Sequence, residues 1–166
     1  MTRVEYDTQK VSDLINKFMC DMYFEGYKFD TSFTLRFGRN SYGEVLNQKL
    51  PLTVELYLLG DWWFYSRDEW NRRLSLFNSI ETLELEEPLQ AFELTNLRWC
   101  GNSEICSVLL KDEIFKIKFK NERYMEISCA PVEGESWILI GQNNSQDEDK
   151  QWSITCEGKE YFVNIP

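Results

Sequence analysis

With 166 residues, 43% of them hydrophobic, and a net charge of −10, the chain has the size of one domain with a full core and too much apolar bulk for disorder. Phosphate backbones are bound by positive surface, so this charge argues against direct nucleic-acid binding and favours steering toward a basic protein. The absence of histidine removes the commonest general base and metal ligand, which weighs against an enzyme.

Six Trp, eight Tyr and eleven Phe supply the core, each large aromatic burying roughly 150–250 Å². The acidity is uneven. Residues 1–83 carry 12 acids and 10 bases, whereas residues 84–166 carry 16 acids and 8 bases. The opening Met1-Thr2-Arg3-Val4-Glu5 has no apolar run of the signal-peptide kind. No stretch approaches the length of a membrane span, so residence in the cytoplasm, with no membrane partner, is the expectation.

Val11, Leu14, Ile15, Phe18, Met19 and Met22 recur at helical spacing, predicting an amphipathic helix from Asp7 to about Tyr23 with Asp7 or Thr8 at its cap. Residues 27–37 contain a half-buried strand, with Phe33, Leu35 and Phe37 alternating with Thr34 and Arg36. Gly38, Asn40 and Gly43 mark a loop. A second strand follows from Leu52 to Leu58, with Pro51 at its start, where no ladder donor is lost.

The run Asp61-Trp62-Trp63-Phe64-Tyr65 reads first as core, with a surface stripe for a sugar or peptide as the alternative. Ser66 and Glu69 have capping-box spacing ahead of a short helix through Trp70, Arg73, Leu74 and Phe77. Residues 78–90 suit helix or strand, and Pro88 limits both. Farther on, Phe115, Ile117 and Phe119 alternate with lysines, Asn121-Glu122 turns the chain, and Tyr124 to Cys129 returns. A loop with Pro131 and Gly134 leads to a buried strand, Trp137 to Ile140. The polar residues 141–150 form the expected mobile loop. A closing hairpin spans Trp152–Cys156 and Lys159–Ile165 around Glu157-Gly158.

These elements give an α+β class: mainly antiparallel sheet with an N-terminal helix and one or two short helices, in a single domain over 1–166. The Phe33–Phe37 and Val54–Leu58 pair echoes the Phe115–Phe119 and Tyr124–Ile127 pair, and each is followed by tryptophan. Two pseudo-repeats, about 1–83 and 84–166, are therefore the alternative organisation.

No motif carries chemistry. Neither G-x-x-x-x-G-K nor G-x-G-x-x-G occurs, so no cofactor is expected. Five cysteines, Cys20, Cys100, Cys106, Cys129 and Cys156, have no zinc spacing and no histidine to activate a nucleophile. They read as buried free thiols, leaving open whether Cys100 and Cys106 pair. Two acidic clusters remain, Glu81, Glu84, Glu86 and Glu87, and Asp147, Glu148 and Asp149. They suit a solvated face, a carboxylate-dependent hydrolase, or contact with a basic partner.

Phe115-x-Ile117-x-Phe119-x-Asn121, Tyr124-x-Glu126-Ile127, Glu135-Ser136-Trp137-Ile138-Leu139 and the hairpin Trp152-Ser153-Ile154-Thr155-Cys156 with Gly158 resemble small acidic bacterial immunity proteins of contact-dependent growth inhibition and polymorphic toxin systems. The resemblance covers about 50 C-terminal residues as a pattern of strands and transfers no site residue. It implies a non-enzymatic protein that binds and neutralises a cognate toxin C-terminal domain, a basic nuclease; a monomer or weak dimer is the expectation for the chain itself. The acids of 81–87 and 147–149 are then the expected contacts. An acidic mimic of nucleic acid, inhibiting a DNA-binding or defence protein, is the alternative, as are the hydrolase and a scaffold using an exposed strand edge.

Overall fold

The computed structural model describes residues 4–5, 7–41, 44–45, 48–78, 86–130, 134–142 and 151–165. A two-residue strand, β1 (Val4–Glu5), precedes α1 (Thr8–Met19). The Gln9 amide donates to Asp7 Oδ1 at 2.9 Å, so Asp7 is the cap and satisfies one of the orphan donors of the first turn. The helix buries Val11, Leu14, Ile15, Phe18 and Met19. It stops short of Tyr23 because Asp21 turns the chain at φ 63° and the Arg39 guanidinium donates to the Phe18 carbonyl. A cation there complements the negative end of the helix.

What reads as one strand over residues 27–37 belongs to a hairpin, β2 (Tyr23–Phe29) and β3 (Phe33–Gly38), turned at Asp30–Ser32. A small ladder, β4 (Glu44–Val45) and β5 (Gln48–Lys49), interrupts the path to β6 (Thr53–Leu58) and β7 (Trp62–Phe64). Two helices follow, α2 (Arg67–Asn78) and α3 (Glu87–Trp99). Half of the expected capping box forms: the Glu69 amide donates to Ser66 Oγ at 3.3 Å, while the Glu69 carboxylate turns instead to Arg72 and Arg73. The chain ends in β8 (Ile105–Lys111), β9 (Ile114–Phe119), β10 (Tyr124–Ser128), β11 (Glu135–Gln142), β12 (Ser153–Glu157) and β13 (Glu160–Asn164).

The fold is α+β, with two antiparallel sheets. One has seven strands in the order β1-β13-β12-β11-β6-β3-β2, the other four in the order β7-β10-β9-β8. Their inner faces share a core, joined by Phe115 against Trp137 at 4.7 Å and Phe33 against Trp62 at 4.9 Å between ring centroids. The aromatic run after Asp61 is part of that core, since Trp62, Trp63 and Phe64 are buried.

Two series of strands follow one plan. In β2-β3-β6-β7 and in β8-β9-β10-β11 the first two strands form a bulged hairpin and the third pairs with the second. The fourth strand of each crosses to the other sheet: β7 pairs with β10 and β11 with β6. Trp62 thus lies opposite Ile127, and Trp137 opposite Leu58. The first strands meet at the bridge Tyr23–Glu104. There Phe24 N donates to Ser103 O at 3.2 Å and Ile105 N to Met22 O at 2.7 Å, the reciprocity of a two-fold contact. The helices are exchanged too, α1 packing on β8 and α3 on β2.

β8 is the edge of its sheet, and α1 satisfies its outward donors. Leu110 N donates to Ser12 Oγ at 3.0 Å and Val108 N to Asn16 Oδ1 at 2.8 Å. Four residues along α1 (about 6 Å) nearly match two residues along a strand (about 6.8 Å), so the two acceptors meet two successive outward amides. Ser12→Ala leaves the Leu110 amide buried without an acceptor and is expected to remove about 1–3 kcal/mol. Guanidinium unfolding checks it; a loss below about 0.5 kcal/mol, the scatter of ordinary surface substitutions, would show that water reaches that edge.

All five cysteines are free, but only Cys129 and Cys156 are buried; Cys20 is half-buried, and Cys100 and Cys106 are exposed, which corrects the expectation of five buried thiols. Cys129 accepts from the Trp137 indole at 3.3 Å. The Cys156 thiol donates to the Gly158 carbonyl at 3.4 Å, and the neighbouring Cys129 sulfur together with burial pushes its pKa up.

Candidate protein-binding surface

α3 positions the site. Pro88 occupies its first turn, where a missing N–H is harmless, and Glu86 and Glu87 complement the positive end of the helix. Glu86 is also tied inward, accepting from the buried Trp70 indole at 3.1 Å. One turn on, Gln90 Nε2 donates to the Trp62 carbonyl at 2.9 Å, locking α3 to β7. From the other side, Leu59 N and Gly60 N both donate to Ser136 O, at 3.0 and 2.9 Å, which fixes the segment between β6 and β7.

Between these elements lies a groove of about 350 Å³. Phe29, Phe33, Leu58, Leu59 and Trp62 form its apolar wall, with Asp61, Glu86 and Glu87 around it, and none of the described lining residues is basic. Phe29 and Leu59 are 56% and 46% exposed, so apolar surface and carboxylates reach solvent together. A larger cleft of about 450 Å³ lies along Glu25, Lys28, Arg36 and Glu55. Its acids are already engaged, Glu25 by Arg36 at 2.8 Å and Glu55 by the Tyr57 hydroxyl at 2.9 Å.

Behind α3 an ionic cluster ties the helices to the smaller sheet. Glu93, whose side chain is 5% exposed, accepts from Arg73 Nη1 at 2.7 Å and Arg123 Nη1 at 2.8 Å. Arg73 also lies over the Tyr65 ring, 4.2 Å from its centroid. Hydrogen bonds from Arg72 and Arg73 hold the half-buried Glu69 carboxyl at about 2, well below the usual range. These groups brace the surface and leave Asp61 and Glu87 of the groove for an incoming ligand.

Of the acids expected at a contact, Glu86 and Glu87 lie at this groove, whereas Glu81, Glu84, Asp147, Glu148 and Asp149 lie outside the described residues. The structure adds Asp61, Phe29 and Leu59, which charge density alone does not single out. The Gly60-Asp61 break beside the aromatic run was the available signal for Asp61. Among the described residues, no group of three or more Cys, Asp or Glu is placed to hold a metal ion, and no helix is long and apolar enough to cross a membrane. No family model, curated protein or solved structure matches the chain.

Proposed function

We propose that this protein is an immunity protein, binding and neutralising a bacterial toxin domain, a basic nuclease effector, by non-catalytic contact. The observation that carries the reading is the groove at the start of α3, where exposed Phe29 and Leu59 stand beside Asp61, Glu86 and Glu87 with no described base among them. The net charge of −10 supports it at longer range. Charge of that kind sets on-rate and choice of partner, while buried apolar anchors supply most of the affinity. An interface of standard size, near 1,600 Å² in total, would extend well beyond the groove.

The test is co-expression with the C-terminal domain encoded by the adjoining upstream reading frame. A one-to-one complex and restored growth are expected. Asp61→Lys with Glu87→Lys should slow association at least about tenfold at low salt, with the difference shrinking as ionic strength shortens the screening length. Glu86 is left intact in this variant because Trp70 depends on it. Absence of both complex and protection would overturn the toxin reading.

A further inference from the structure

Among the described residues eight large apolar side chains are exposed: Tyr27, Phe29, Leu59, Leu76, Phe77, Phe92, Trp99 and Leu109. Tyr27 and Phe29 lie on β2, Leu76 and Phe77 on α2, Phe92 and Trp99 on α3, Leu109 on β8, and Leu59 in the segment between β6 and β7. Phe92 and Trp99, 54% and 79% exposed, stand two turns apart on the outer face of α3, with Thr95 between them. The Phe77 ring lies 6.5 Å from that of Phe92. On its other flank the Tyr27 hydroxyl meets Thr95 Oγ1 at 3.2 Å.

The fold contains its own control for this face. α1 and α3 hold corresponding places, each packed on the first strand of the other series. The exposed residues of α1 are Thr8, Gln9, Lys10, Asp13 and Lys17, an ordinary solvated face. Packing in that position therefore does not require apolar residues outside. The outer face of α3 exposes Phe92 and Trp99 beside Thr95 and Arg98, whereas its counterpart exposes no apolar residue, and exposed apolar patches of this kind mark interaction sites.

We infer that Phe92, Thr95 and Trp99, with Phe77 beside them, form the apolar centre of the partner interface. The occupant is a protein surface with aliphatic or aromatic residues at its middle and lysine or arginine along one side. Its basic side follows from continuity: the same helix begins at the acidic groove, with Glu87 exposed in its first turn. A second copy of this chain is a poor occupant, because two molecules of charge −10 would bring like-charged rims together. The inference rests on the reading above for the partner's identity, and on the surface itself for the partner's chemistry.

The experiment pans a random dodecapeptide phage library on the full-length protein and counter-screens against Phe92→Ser/Trp99→Ser. Both side chains are exposed, and circular dichroism verifies that the variant folds. Enriched peptides combining Lys or Arg with Trp, Phe or Leu are expected, each preferring the parent protein by about thirtyfold or more, as for a hot spot. Peptides that bind both proteins alike, or no enrichment at all, overturn the inference. So does a dimer in sedimentation velocity that the double substitution dissociates, since the face would then belong to a second copy. Dependent peptides without protection from the toxin domain keep the face and sink the toxin reading. Protection that survives the double substitution does the reverse.

Discussion

Replacing Trp137 with alanine is expected to remove about 3–5 kcal/mol of stability, the range for deleting a fully buried large aromatic. The side chain has no exposed surface. It joins the two sheets through Phe115 at 4.7 Å and reaches Tyr161 at 6.3 Å. Its indole is also a donor to Cys129, so truncation opens a cavity and removes one hydrogen bond from a buried sulfur. Against a total of about 5–15 kcal/mol for a natural domain, such a loss takes about a fifth or more of the stability. Guanidinium unfolding should show a lower midpoint with an unchanged slope. Trp137→Phe keeps part of the volume and should lose clearly less. A drop below about 1.5 kcal/mol for the alanine variant would mean that the sheets close over the gap, contrary to the close packing expected of a core.

The second large effect belongs to Glu93. Glu93→Ala leaves two guanidinium groups facing a site that no longer holds a carboxylate. Removing one member of a buried ionic group typically costs about 3–5 kcal/mol. The expected value here is lower, about 2–3 kcal/mol, for two reasons. Arg73 keeps Glu69 at 2.7 Å and the Tyr65 ring, and the Arg73 and Arg123 side chains are partly exposed, so water takes up some of the lost interaction. Adding Arg123→Ala to Glu93→Ala should recover part of the loss, because the stranded cation is then gone. A double-mutant cycle measures that coupling, and strictly additive losses would show that Arg123 finds solvent unaided.

The elements that were legible in the residues alone are those whose inward and outward positions obey one simple period. The strands β6, β9 and β10 alternate strictly, and β3 alternates in residue type, although Thr34 is buried with its apolar neighbours. Asp7 and Ser66 announce the starts of α1 and α2 through hydroxyl or carboxylate chemistry that acts within three residues. α3 was hidden because its pattern is mixed: Gln90 and Glu93 are buried beside Leu89, Leu94 and Leu97, held by Trp62, Arg73 and Arg123, while Phe92 and Trp99 face outward. Polar residues on the inner face and aromatics on the outer one blur the apolar stripe by which a helix is read. The feature that concealed the helix is the one that makes its surface a candidate for binding. β8 was hidden differently, by the bulge between Ile105 and Ser107, which shifts the alternation by one residue.

The candidate site divides in the same way. Glu86 and Glu87 stood out through local charge density. Asp61, Leu59 and Phe29 join them only because β2, the end of β6 and the start of α3 converge.

Composition and period thus settled the class, the presence of two hairpins followed by tryptophan, and the acidity of the surface, since each is a property of neighbours along the chain. Which sheet each tryptophan strand enters was settled in three dimensions. Alternation specifies that one face of a strand is buried, and either partner sheet could bury it. The exchange of β7 and β11 between the sheets, and of α1 and α3 between the two series, follows from which inner faces complete one another, an outcome no local pattern encodes.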